Sequence, residues 1–243
     1  MYAPVIDGDF IKDHLIYMVR DGNIRPNTPI SQNYAKDDGW KFTDDAFDIM
    51  SNQFGTKGSE PWSNEIFSKL YPSYSDEMNS MFGCAQGSAD CKDNFSRFVT
   101  AMHWYCNTRW AYSGELKNNP DKYGAIYPMQ WGYPNCDKDP NGENTKTCHC
   151  SEGPWIKGSR SGQLGLNMKR AWIEFYKTGK FSNNSNIVSW QEMNFNAFNV
   201  IDESQWTQSP VLEWNECDLL DQLQEQQSAY SWGYTKQQPN GPL

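Results

Sequence analysis

The chain has 243 residues, with 30 acidic against 21 basic side chains, a net charge of −9 and a pI of about 4.8. That balance argues against nucleic acid or an anionic membrane surface as partner, because no basic cluster offsets the repulsion. Aromatics make up 15% of residues while mean hydropathy is −0.82, which suits a loop-rich protein around bulky apolar side chains better than a compact helical bundle.

In chain order the pattern is mixed α/β. Residues 2–7 are β-prone, and Asp7-Gly8-Asp9 marks a turn. Pro26 to Tyr34 reads as an extended strand that ends at the acidic turn Lys36-Asp37-Asp38-Gly39. Broken helices are expected from about Asp44 to Phe82. A longer helix runs from Asn94 to about Lys117, with Phe95, Phe98, Val99, Met102, Tyr105, Cys106 and Trp110 on a helical period, and Asn118-Asn-Pro120 stops it. Tyr123 to Trp131 reads as a buried strand that Pro128 ends early or makes irregular. From Gly132 to Gly162 the chain is polar and rich in Pro, Gly and Cys, a long functional loop. Leu164 to Thr178 is the clearest helix, with Leu164, Met168, Ala171, Trp172 and Phe175 on one face and Gly179 at its end. A weak strand near Ala197–Ile201, a short segment around Val211–Leu223 and a Gln-rich end complete it. No repeat or sharp boundary divides the chain.

The long loop carries the most chemistry. Thr147-Cys148-His149-Cys150-Ser151-Glu152-Gly153-Pro154-Trp155 presents an imidazole in a tight turn, and histidine is the side chain best suited to act as a base near neutral pH. Yet no Gly-x-Ser-x-Gly, the elbow that presents a serine to such a base, occurs anywhere in the sequence. Ser161, within Gly158-Ser-Arg-Ser-Gly162, lacks that spacing and reads as a cap for the next helix. His103, beside Trp104 and Tyr105, reads as packed.

The seven cysteines favour an oxidising compartment. Cys84 and Cys91 flank one short loop, and Cys136, Cys148 and Cys150 bracket another. The alternative, a zinc site from Cys136, Cys148, His149 and Cys150, is disfavoured because three consecutive residues rarely converge tetrahedrally on one ion. Two glycosylation sequons, Asn94-Phe-Ser96 and Asn183-Asn-Ser185, also point to the secretory pathway. The first residues carry no signal peptide, and no apolar run is long enough to span a bilayer.

Strand, acidic turn, helices, strand, histidine loop and helix succeed one another as in the second half of an α/β-hydrolase, where the triad acid precedes the histidine. More specifically the chain resembles the type-B carboxylesterase/cholinesterase family. Pro4-Val-Ile-Asp-Gly-Asp-Phe10 resembles its P-V-x-D-G-x-F/L strand-turn, and Asn33-Tyr-Ala-Lys-Asp-Asp-Gly-Trp40 its acid turn. Cys148-His-Cys-Ser-Glu-Gly-Pro-Trp-Ile-Lys-Gly158 resembles its histidine loop, and Met168-Lys-Arg-Ala-Trp-Ile-Glu-Phe-Tyr-Lys-Thr-Gly179 its W-x-x-F-x-x-T-G helix.

The resemblance implies an α/β fold over residues 1–243, the C-terminal portion of an α/β-hydrolase, with few strands and long helices and loops. It implies His149 as triad base and Asp38, where the family usually has Glu, as the acid that orients it. It also implies a Cys106–Cys217 disulfide, and no cofactor or metal. The family's serine and oxyanion-hole glycines have no counterpart here. Three functions are open. The chain is the part of a carboxylic-ester hydrolase that supplies acid and base, inactive alone and acting on a small ester once completed by an N-terminal half. Alternatively it is a non-catalytic binding or adhesion module, or a truncated product that does not fold alone. An extracellular or secretory-pathway location is expected.

Overall fold

The computed structural model describes residues 7–9, 11–43, 67–68, 71–84, 91–119, 121–138, 140–157, 162–181, 197–202, 205–210 and 214–227. Helix α1 (Leu15–Arg20) is followed by strand β1 (Ile30–Ala35). A 3₁₀ turn at Pro72–Tyr74 leads into α2 (Ser75–Phe82). Next come α3 (Cys91–Thr100), a π-helical segment (Ala101–Tyr105), α4 (Cys106–Tyr112) and α5 (Glu115–Asn118). Strand β2 (Ile126–Trp131) precedes a hairpin of β3 (Cys136–Lys138) and β4 (Asn144–Lys146), then α6 (Gly153–Lys157) and α7 (Gln163–Thr178). The chain continues through β5 (Ala197–Asp202), β6 (Gln205–Pro210) and α8 (Trp214–Gln227).

The main sheet has the order β1-β2-β5-β6, with β1, β2 and β5 parallel and β6 antiparallel. The β1–β2 register runs from Ile30 opposite Ile126 to Ala35 opposite Trp131, so both strands finish at the same level. Lys36 N–H donates to the Trp131 carbonyl at 2.8 Å and extends that ladder by one bond. The segments leaving β1 and β2 therefore emerge side by side at the carboxyl edge of the sheet, the edge where open α/β sheets place their sites.

Two packings hold this edge in place. Tyr127, Met129 and Trp131 alternate along β2 and bury one face against Met168, Ala171 and Trp172 of α7 and Trp155 of α6. The period of two meets the period of 3.6. Met129 and Met168 are fully buried, each stabilising the fold by roughly 1.5–3 kcal/mol. The second packing gathers α1, α2, α3, α4 and α8 around Phe67, Phe82, Phe98, Trp110 and Leu220, with Tyr34 of β1 against Tyr105.

Helix α7 matches its expected span, and Gly179 ends it in the left-handed conformation at φ 71°, donating to the Phe175 carbonyl. The Asp7 turn is present, its carboxylate accepting the N–H groups of Asp9 and Ile11. Other expectations need correction. The long helix begins at Cys91, contains a π segment, and ends at Tyr112 before the short α5, which does stop at Asn118-Asn119. Pro128 does not end its strand: β2 runs on through it to Trp131, with Pro128 opposite Gln32 of β1. The polar stretch after Gly132 is no bare loop but a hairpin and a helix. Strand β6 was not expected, and the segment around Val211–Leu223 is the longer helix α8. Gly162 stands at the N-cap of α7. Expectations for residues 2–6, 44–66, 183–185 and the Gln-rich end fall outside the described residues.

Candidate active site

Asp38 lies on the turn that β1 feeds. Its Oδ2 accepts the Ala35 N–H at 2.7 Å, which folds the carboxyl back over the strand end. Gly39 N–H donates to Thr100 Oγ1 at 2.8 Å, and that hydroxyl donates in turn to the Ser96 carbonyl at 2.8 Å. The turn therefore rests directly on α3. Glycine is dictated there by close approach: a Cβ at position 39 would stand 2.4 Å from the Ser96 carbonyl oxygen and 2.9 Å from Thr100 N.

His149 is delivered by the β3–β4 hairpin. Cys136 and Cys148 are joined by a disulfide at the base of that hairpin, and Cys148 N–H donates to Asn135 Oδ1 at 3.1 Å. Asp37 then fastens this segment to the acid turn. Its N–H donates to the Thr147 carbonyl at 3.1 Å, and its Oδ2 accepts the Thr147 N–H at 2.9 Å. Beyond His149 the backbone reverses through Cys150 at φ 61° and enters α6.

These two constructions bring Asp38 Oδ1 to 2.7 Å from His149 Nδ1, across 111 residues of sequence. Asp38 is 1% exposed, whereas the imidazole side chain is 40% exposed. Burial pushes the Asp38 carboxyl up to about 6, and the hydrogen bonds from Ala35 and His149 oppose that rise. With the carboxylate accepting at Nδ1–H, Nε2 is left as the nitrogen that can exchange a proton. Phe42 meets the imidazole edge-on at 5.3 Å between centroids, and Trp104 lies against it at 5.4 Å.

The other histidines have different settings. His14 caps α1, its Nδ1 accepting from Ile16 N–H at 3.4 Å. His103 packs in the π segment, where burial pushes it down to about 4. Three disulfides join Cys84 to Cys91, Cys106 to Cys217 and Cys136 to Cys148, which leaves Cys150 as an exposed thiol. The zinc reading fails on chemistry, because two of its four donors are bonded to each other. Burial and the nearby Glu152 and Asp38 charges push the Cys150 thiol up, which keeps it protonated. Of the sequons, Asn94 lies within α3, donating to the Gly83 carbonyl at 2.7 Å, with Ser96 buried. Ser161 lies outside the described residues.

The residues that fasten the pair, Asp37, Gly39, Thr100 and Asn135, were not singled out by sequence, nor was Phe42. Their signal is faint: Asp37-Asp38-Gly39 offers two carboxylates, and only the fold distinguishes the one that meets the imidazole.

No family model and no curated protein matches the sequence. Solved structures do match. Over 92% of the chain and 45% of the other, it is similar to EstA of Aspergillus niger, with 16% identity and a TM-score of 0.66. It is similar to a PNB esterase over 90% of the chain and 43% of the other, with 14% identity and a TM-score of 0.62. It is similar to the juvenile hormone esterase of Manduca sexta over 95% of the chain and 46% of the other, at 14% identity and a TM-score of 0.58. The chain thus shares a partial α/β-hydrolase fold with these esterases. It spans less than half the length of the esterases it matches. Among the described residues, no helix is long and apolar enough to cross a membrane.

Proposed function

We propose that the chain supplies the base and acid of a carboxylic-ester hydrolase, as the C-terminal portion of a type-B carboxylesterase domain covering residues 1–243. The serine and the oxyanion hole come from an N-terminal half. The observation that carries this reading is the 2.7 Å contact between a buried carboxylate and Nδ1 of a half-exposed imidazole at the sheet's carboxyl edge.

That contact sets the chemistry. Asp38 holds the imidazole in the tautomer with Nδ1 protonated, so Nε2 is the acceptor. Nε2 takes the serine proton as the hydroxyl oxygen attacks the ester carbonyl. The same proton goes to the departing alcohol, leaving an acyl-enzyme. Water then repeats the sequence: Nε2 takes its proton, the hydroxide carbon–oxygen bond forms, and the proton returns to serine as the acid is released. Backbone N–H donors from the other half stabilise the tetrahedral oxyanion. Asp38 stabilises the imidazolium in both steps. Three disulfides suit an extracellular or secretory-pathway setting, which is part of the same proposal.

The test is to read the coding sequence upstream of Met1 for an in-frame Gly-x-Ser-x-Gly and to assay the joined chain on a small nitrophenyl ester. Hydrolysis that falls by three or more powers of ten in His149→Gln is expected, on the order of a triad loss. An intact upstream half with the serine replaced would favour a non-catalytic binding module instead.

A further inference from the structure

We propose that Trp104 is a positioning residue for His149, aimed at the imidazole by the π-helical segment Ala101–Tyr105. The inference rests on the reading of His149 as a triad base and adds a residue to it.

Cys106 N–H reaches back five residues to the Ala101 carbonyl, one more than an α-helix allows. A wide turn of this kind rotates the downstream helix relative to the upstream one, and such bulges occur often at functional sites. Here both flanks are committed. Upstream, Phe98, Val99, Ala101 and Met102 face the helical core, and Thr100 takes the Gly39 N–H. Downstream, Tyr105 donates its hydroxyl to Glu216, and Cys106 is bonded to Cys217. The π turn joins both commitments in one helix while residue 104 sits at the margin of the helical core. The π turn leaves Trp104 half-buried, with its ring 5.4 Å from His149 and 5.6 Å from Phe42.

The positioning need is specific. Asp38 fixes one nitrogen of His149, but a single hydrogen bond leaves the ring free to swing about it, and the side chain is 40% exposed. Trp104, tilted by 45° against the imidazole, limits that freedom on one side, as Phe42 does edge-on. The same helix carries Thr100, which seats the acid turn through Gly39. One helix thus places the carboxylate from one end of the π turn and restrains the imidazole from within it.

The test is imidazole NMR of the full 243-residue chain, whose three histidines can be assigned by substitution. The parent chain is expected to give a far-downfield Nδ1 proton and a single tautomer for His149, with that proton lost in Asp38→Asn. Trp104→Ala is expected to lose the same proton and mix the tautomers while the His14 signals stay in place, and Trp104→Phe to restore both. Trp104→Leu, closer in bulk, carries the same expectation where the alanine variant does not fold. Retention of the proton and single tautomer in both Trp104→Ala and Trp104→Leu would overturn the positioning role and leave the esterase reading standing. Absence of the downfield proton from the parent chain would remove the base–acid pair itself, and both with it.

Discussion

At Gly39 a single missing Cβ decides whether the acid turn can lie on α3. Gly39→Ala forces that turn away from the Ser96 carbonyl, so Asp38 loses its seat. The expected loss is about 1–3 kcal/mol of stability, in line with overpacking elsewhere, read from urea unfolding midpoints. Two titrating groups nearby act in opposite directions. The Asp38 carboxyl rises from 3.8 to about 6, so the folded state binds more protons in that window, and its contribution is lost as pH climbs from about 4 through 6. His103 falls from 6.5 to about 4, so its contribution is full above 6.5 and lost as pH falls through about 4. Chemical denaturation across pH 4–6.5 should therefore separate them. In His103→Gln the Asp38 effect remains, and stability falls more steeply with rising pH than in the parent. In Asp38→Asn the His103 effect remains, and stability rises more steeply. A common slope in both variants would contradict these assignments.

At the scale of elements, covalent links hold what the short sheet cannot. The Cys106–Cys217 bridge ties α4 to α8 across 111 residues, and removing it as Cys106→Ala with Cys217→Ala is expected to lose about 4–5 kcal/mol in the chain-entropy account. Counting thiols checks all three bridges together: one maleimide adduct on the chain denatured without reductant, at Cys150, and seven after reduction. Helix α7 was legible because Leu164, Met168, Ala171, Trp172 and Phe175 keep one stripe and Gly179 closes it. The π segment was not, because Met102, Tyr105 and Cys106 are apolar and fit an α-helical stripe almost as well. Pro128 misled for a related reason. A missing donor removes one ladder bond, and whether a strand survives that is decided by its neighbours in the sheet rather than by the strand itself. In the same way the 132–162 stretch reads as loop because Cys136–Lys138 and Asn144–Lys146 are polar three-residue strands held by cross-links, with no apolar alternation to announce them.

For the molecule as a whole, local motifs lie in the order of the esterase fold, and the fold keeps that order even at 14–16% identity with the solved esterases. The acid turn and the histidine loop could be read as separate motifs. Their meeting was legible only through the family resemblance, because physically it depends on β1 and β2 ending level and on Asp37 bridging to Thr147. We propose that His149 serves a serine contributed from outside these 243 residues. Labelling with a fluorophosphonate, which reacts with an activated serine, tests it most directly. The 243-residue chain alone should take no label, and the chain joined to a half bearing Gly-x-Ser-x-Gly should take one, lost in His149→Gln. Labelling of the isolated chain, or of the joined chain regardless of His149, would contradict the account.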